Sequence, residues 1–439
     1  MTFPALTERR RTRFSALVAL YVGQGVPLGL LVVAAPAYLV ERGADAAAVG
    51  GYSGLVLLPF ALKVLVGPVM DRFAFLPMGR RRPWVLAGGL GVIAGFAALA
   101  VLGDDGLAAV TACGIAVTSA IAVLDTAVDG MAVDVLEETE QGRANALMWG
   151  GSVLGLAASA VGTSRLLEAG GFALAAGVVA GVQAGLLAVP LLVRERPGER
   201  LLPWTAGAPS AVALDRQPDG WRAVFGRLRR NTLLPASLLL LVVAVCAGAL
   251  DGLLIAYMPA LTVGELGWDD TGWADLVAVG QVAAGVIGMG LGAVLIGRVG
   301  KVRMLVGLAA LVAVVIGAMA AAPALWPVRA TLVAFAFGYL VPFVLLTITI
   351  LATGMALCSP AVAATQFALF TTAMNLGRSA GGGLLGALSG FGPSAPFVAA
   401  AVLGAVVVVL GSRIDVEAHR ARLTAPPHDR AASAVEPVP

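Results

Sequence analysis

Charge is scarce in this chain. Of 439 residues, 13% are Asp, Glu, Lys or Arg and 59% are hydrophobic, whereas soluble domains carry about 25% charged residues. One soluble core cannot absorb that much apolar sequence, so a water-soluble globular fold is excluded. Histidine is scarcer still. His419 and His428 are the two present, both in the polar C-terminal stretch. A histidine-ligated metal centre inside the membrane is thereby excluded, as is a Ser/His/Asp or Cys/His catalytic arrangement. Cys113, Cys246 and Cys358 are scattered and odd in number, so they give neither a disulfide framework nor a metal motif. No Gly-Lys-Ser/Thr phosphate loop occurs, so the chain offers no ATP site. No enzyme activity, metal or cofactor is expected.

What is abundant is long apolar sequence. The runs exceed the ~10-residue alternating segments of a membrane barrel and read as helices. They fall at 14–40, 46–70, 83–102, 107–136, 142–168, 171–193, 233–262, 272–297, 302–322, 327–356, 361–389 and 394–412. The expected fold is an all-α polytopic membrane protein with twelve transmembrane helices. The longest connection divides it into two six-helix bundles, 1–193 and 233–412, with a linker at 194–232 and a polar tail at 413–439. In the linker, Trp221, Val224, Phe225 and Leu228 share one helical face, with Arg222, Arg227, Arg229 and Arg230 elsewhere. That pattern suits a helix on the membrane surface; a solvated basic loop is the alternative.

The basic residues set the topology. Four precede the first run, four lie in the 71–82 loop, eight in 194–230, three at 298–303, four in the tail, and Arg143 stands alone. Together they are 24 of the 29 Lys and Arg. The opposite connections hold Arg42, with Arg165 and Arg329 near that face, and are otherwise acidic (Glu41, Asp45, Asp104, Asp105, Glu265, Asp269, Asp270). By the positive-inside rule both termini are cytoplasmic, in a multi-pass cytoplasmic (inner) membrane protein. This distribution explains the basic balance without nucleic acid, and makes the 71–82 arginines membrane-surface anchors. The expected partners are the lipid bilayer, protons and a small-molecule substrate, with the protein monomeric.

The charges left inside the apolar runs carry the functional signal, because an ionised group there is costly. Lys63 precedes Asp71 by eight residues, about 12 Å of helix. Asp125 and Asp129 are i, i+4 on the fourth run and share a face. Two carboxylates so close in low dielectric cannot both ionise cheaply, which suits proton coupling; Asp125, the deeper, is the foremost candidate. Asp134 lies at the water boundary and reads as a structural partner of loop arginines. Lys63 is the natural partner of Asp125 or Asp129. The pair either fixes helix packing or breaks when a proton or anionic solute arrives. In the second half Asp251 is the deep acid and a third proton-coupling candidate. Thr371, Asn375 and Arg378 fall at i, i+4, i+7 on the eleventh run. Arg378 must pair with Asp251 or with an anionic ligand. Tyr21, Gln24 and Leu28 share a face of the first run, which Gly23, Gly25, Pro27 and Pro36 loosen.

Two segments repeat. Gly67-Pro68-Val69-Met70-Asp71-Arg72 ends the second run, and Gly292 to Arg303 ends the eighth. A six-plus-six chain with this repeat resembles the major facilitator superfamily of secondary transporters. Gly297 stands where the family's acidic residue would be, so a salt-bridge latch is not expected in that copy. Four further segments resemble the AmpG-like branch, which includes muropeptide permeases, acetyl-CoA transporters and some siderophore importers. They are Gln24-Gly25-Val26-Pro27-Leu28-Gly29-Leu30, Leu58-Pro59-Phe60-Ala61-Leu62-Lys63, the spaced Asp125/Asp129/Asp134, and Ala364-Thr365-Gln366-Phe367 with Asn375-Leu376-Gly377-Arg378. Between the second and third acids the chain reads Gly130-Met131-Ala132-Val133, without the arginine usual in the muropeptide permeases. The resemblance implies a proton-coupled importer of a polar or anionic small molecule working by alternating access. Asp71, Arg72, Arg80 and Arg81 would form its conformational loop. A non-transporting receptor or assembly factor on the same fold is the alternative.

Overall fold

The computed structural model of the chain describes residues 4–44, 46–102, 106–268 and 270–424. Asp45, Asp104, Asp105, Asp269 and His428 lie outside the described residues. The first bundle opens with α1 Arg10–Glu41, α2 Ala48–Arg72, α3 Arg82–Leu102 and α4 Leu107–Val135. A 55-residue run, Glu138–Leu192, follows; it breaks at Gly170 and Gly171, the latter at φ +61°, a conformation open to glycine. The break yields α5 (138–169) and α6 (172–192). The linker holds α7 Ala211–Arg216 and α8 Trp221–Thr232. The second bundle comprises α9 Pro235–Glu265, α10 Leu276–Val299, α11 Lys301–Ala321, α12 Arg329–Leu357, α13 Ala363–Leu388 and α14 Ala395–Gly411. A short α15, Val416–Thr424, ends the described chain.

Among the described residues nine helices are long and apolar enough to cross a membrane. The broken run counts once there and supplies two spans. α13 is diluted by Thr, Gln, Asn, Arg and Gly, and α14 has only 17 residues. With these, twelve spans stand as the hydropathy predicts. In the first bundle α1 lies along α5, and α3 packs on α4 and α6. In the second, α9 lies along α13 and α14, and α11 packs on α12 and α14.

Four spans leave regular α-geometry. α1 carries Pro27 and a π-helical turn at Gly29–Ala34; α9 carries Pro259 and a π-helical turn at Ala260–Glu265. α2 tightens to a 3-10 turn at Lys63–Leu65, one turn after Pro59, and α10 widens at Gly288–Gly292. Proline removes a helical hydrogen bond, and such irregular turns cluster at functional sites. The first two helices of each half are therefore interrupted, the first by a π-helical turn after a proline in both halves, the second by a 3-10 turn in one half and a π-helical turn in the other.

The starts of α1, α3, α5, α9, α11 and α13 meet at one face, with α15 and most of the basic residues. Two expectations change there. Arg80, Arg81 and Arg82 are 1%, 0% and 1% exposed; they serve a buried polar network instead of anchoring the surface. The 413–439 stretch is not wholly a solvated tail. In α15, His419 is buried with its Nε2 3.0 Å from the Leu357 carbonyl, and Arg420 donates to the Ala356 carbonyl at 3.1 Å. Both satisfy carbonyls left open at the end of α12.

Candidate functional site

The first bundle places a lysine between two helices, inside an apolar span. Lys63, at the 3-10 turn of α2, donates to Asp125 Oδ2 on α4 at 2.9 Å. The side chains are only 7% and 15% exposed. One turn along α4, Asp129 is buried and accepts the Tyr21 hydroxyl from α1. Among the described residues Asp129 forms no ion pair. One cation thus faces two carboxylates. Gln24, one turn beyond Tyr21, is buried, and its Nε2 meets no acceptor.

The second bundle repeats the composition with other helices. Asp251 on α9 accepts Arg378 Nε from α13 at 2.7 Å and the Tyr339 hydroxyl from α12 at 2.8 Å. Glycines allow this approach. A Cβ on Gly252 would strike the Arg378 carbonyl, and one on Gly381 would strike the Ala249 carbonyl. α9 and α13 therefore touch backbone to backbone. Thr371 Oγ1 donates within its helix to the Ala368 carbonyl at 3.0 Å, and Asn375 is half-buried on the Arg378 side. Each half thus holds a tyrosine, an aspartate and a cation drawn from three helices.

At the face of the termini the halves are tied together. Asp71, at the end of α2, takes Arg81 at 2.5 Å on one oxygen. Its other oxygen accepts the Thr365 N–H at 2.9 Å and the Thr365 hydroxyl at 2.5 Å, across the halves. Arg80 donates to the carbonyls of Pro360 and Ala361 at 2.8 and 3.0 Å. Asp134 binds Arg80, Arg81 and Arg216 at 3.1–3.3 Å, the structural part expected of it. Among the described residues the Arg72 side chain takes no part; its guanidinium lies 5.3 Å from the Phe73 ring centre.

Sequence reasoning missed Glu195. This linker residue accepts the backbone N–H groups of Arg80 and Arg81 at 2.9 and 2.6 Å, and that of Arg82 as well. It caps the start of α3, where a helix favours an anion. Burial pushes its carboxyl above the usual range, against the pull of these N–H groups. Burial likewise lowers Arg80 to about 10, with Asp134 opposing. Backbone amide partners leave no trace in a side-chain pattern, so no sequence signal points to Glu195.

The second copy of the loop does latch, with its charge reversed. Gly297 is open to solvent, but Lys301 donates to Gln141 Oε1 at 2.9 Å and lies 3.9 Å from Glu138, both on α5. Arg420 of α15 pairs with the same Glu138. The acid has moved to the partner helix, where the repeat pattern does not look for it.

These contacts close one end of the molecule. Cross-half packing runs from Ile296 against Gly142 to Gly285 against Val153, about 16 Å along α5. On α13, Thr365 meets Gly67 of the first bundle, and Thr372, two turns on, is buried. Leu376, on that same face one turn on, is 62% exposed. At the height of Leu376 α13 has therefore left the first bundle, whereas the Lys63 turn still packs against α13 within the closed part.

Twelve helices in two interrupted bundles, latched at one end around buried charge, define a polytopic membrane protein of transporter architecture. The chain belongs to the Major Facilitator Superfamily, whose profile matches residues 14–382. The fold resembles that of the human organic anion transporter MFSD10, with TM-score 0.68 and 15% identity over 92% of this chain and 99% of that one. The Escherichia coli fucose:proton symporter FucP gives 0.67 and 16%, covering 92% and 98%. A bacterial homologue of the iron transporter ferroportin gives 0.64 and 16%, covering 92% and 100%. Among curated proteins, an uncharacterized protein of Schizosaccharomyces pombe is 35% identical over 81 residues, and an uncharacterized membrane protein of Saccharomyces cerevisiae is 28% identical over 83. Each match covers 18–19% of this chain and 15% of the relative's length.

Proposed function

We propose that this chain is a proton-coupled secondary transporter that imports a polar or anionic small molecule by alternating access. One observation carries the reading: Lys63, Asp125 and Asp129 lie together in apolar surroundings where the two halves meet. Lys63 and Asp125 neutralise each other. Asp129 has only a tyrosine hydroxyl, so neutrality of the site requires one more positive charge. A proton on Asp129 is the simplest supply, and Asp129 takes precedence over Asp125 as its carrier. Asp251, with Arg378 already at hand, is the second acid of the cycle.

The two bundles, 1–193 and 233–412, rock about this level. The Asp71 and Lys301 latches hold the cytoplasmic side shut, and the splayed end faces outward. This orientation follows from both termini and the basic face lying in the cytoplasm, in the cytoplasmic membrane, with the protein acting as a monomer. Within the superfamily, the segments around Gln24, Lys63, Asp125 and Arg378 favour the AmpG-like branch. Uptake into proteoliposomes tests the function. An imposed inward proton gradient should drive accumulation of a solute from a broad panel of sugars, carboxylates and peptides, and a protonophore should abolish it. If no member of the panel moves, the transporter reading fails.

A further inference from the structure

Arg378 is only half used. Its Nε is held by Asp251 Oδ2 at 2.7 Å, and Asp251 is itself held by the Tyr339 hydroxyl. Among the described residues the two terminal nitrogens of Arg378 have no acceptor, and the side chain is 41% exposed. A guanidinium carries five N–H donors in a fixed fork and stays charged. Here one edge is anchored and the other is bare, deep in a membrane span. The bare edge stands above the closure. α2 and α13 cross where Gly67 meets Thr365. From that crossing Lys63 lies about 6 Å along α2 and Arg378 about 20 Å along α13. The exposed Leu376 shows that α13 has left the first bundle by this height.

We propose that the free edge of Arg378 is the subsite for a carboxylate group of the transported solute, with Asp251 and Tyr339 as positioning residues. Asn375, three residues earlier on the same side of α13, is within the reach of a neighbouring group of that solute. The proposal rests on the transporter reading for the identity of the ligand. The charge count selects the class. Arg378 and Asp251 sum to zero, and the remaining basic residues of the second bundle (Arg298, Lys301, Arg303, Arg329) lie at its ends. A monoanion adds one charge to this neutral pair; a dianion would add two with no further cation. A planar carboxylate also matches the two parallel N–H bonds that the free edge offers.

The test uses the full chain in lipid nanodiscs, with gluconate and lactate as probes and with glucose, lactamide, sulfate and chloride as controls at equal ionic strength. Phenylglyoxal modification of Arg378, followed by peptide mass spectrometry, needs no variant. Saturating gluconate or lactate should slow it about tenfold, and the controls should not. In parallel, either carboxylate should raise the melting temperature saturably, and Arg378→Lys, which keeps the charge and loses the fork, should abolish the rise. Three binding results would each overturn the subsite. They are protection by the neutral controls equal to that by the carboxylates, no saturable effect of either carboxylate, and a rise that survives Arg378→Lys. Both readouts work without a gradient. Carboxylate binding without proton-driven flux would sink the transporter reading alone, and flux unaffected by Arg378→Lys would sink the subsite alone.

Discussion

Asp125 holds the Lys63 ammonium at 2.9 Å, while Asp129, one helical turn away, holds only the Tyr21 hydroxyl. Two like residues on one helix face thus have unlike tasks. Asp129→Asn should reduce gradient-driven accumulation tenfold or more, to about the level of passive exchange, while exchange of solute across the membrane persists. Comparing uphill uptake with counterflow in the same proteoliposomes separates the two, and unchanged uphill uptake would remove Asp129 from the coupling.

The lysine pair makes its own prediction. Lys63→Met leaves Asp125 buried without its cation, a change that costs about 3–5 kcal/mol. Adding Asp125→Leu should recover most of the loss in thermal unfolding, because no uncompensated charge then remains. If the two losses simply added, the pair would not be the reason for either.

The latch can be read through a native thiol. Cys358 is buried at the end of α12, beside the closed face. In a background of Cys113→Ser and Cys246→Ser, Asp71→Asn removes the negative charge that holds Arg81 and weakens the capping of Thr365. Alkylation of Cys358 should then quicken about tenfold, the effect of a shift near 1.4 kcal/mol. An unchanged rate would mean that Asp71 does not hold this end shut.

The linker should confer a pH dependence. Glu199 is wholly buried. Burial, with Glu195 beside it, pushes its carboxyl up to about 7, although the Ser210 hydroxyl and the Arg196 N–H favour the charged form. The folded chain therefore binds this proton more tightly than the unfolded chain. That contribution is complete below the ordinary carboxylate value and is lost as pH rises through about 7. The melting temperature of the native protein should fall between about pH 5 and 8 relative to Glu199→Gln. Parallel pH profiles for the two proteins would refute the assignment.

Much of this was legible in the residues. Apolar length gives the twelve spans. The cost of buried charge forces Lys63 toward Asp125 and Arg378 toward Asp251, since few other counterions are available at that depth. The periodicity of Trp221, Val224 and Phe225 gives α8. What stayed hidden has a common cause. Asp71 reaches a backbone N–H 294 positions away, Glu195 collects three amides, and Arg80 ends on two carbonyls. Backbone groups are alike at every position, so only the folded arrangement selects among them. The Lys301 latch stayed hidden for a different reason, because its acid sits on α5 and not in the repeated loop.

Glu195 also decides where the chain can be cut. The segment from Arg194 to Gln217 is fastened to the first bundle. Glu195 caps α3, Arg216 binds Asp134, and Gln217 donates to the carbonyls of Asp71 and Arg72. Only Pro218, Asp219 and Gly220 then separate this fastened segment from α8, which packs on both bundles. Two co-expressed fragments divided at Asp219 should assemble and work, because each keeps its own scaffolding. Fragments divided after Val193 would part α3 from its cap and leave three buried arginines without their shared acceptor.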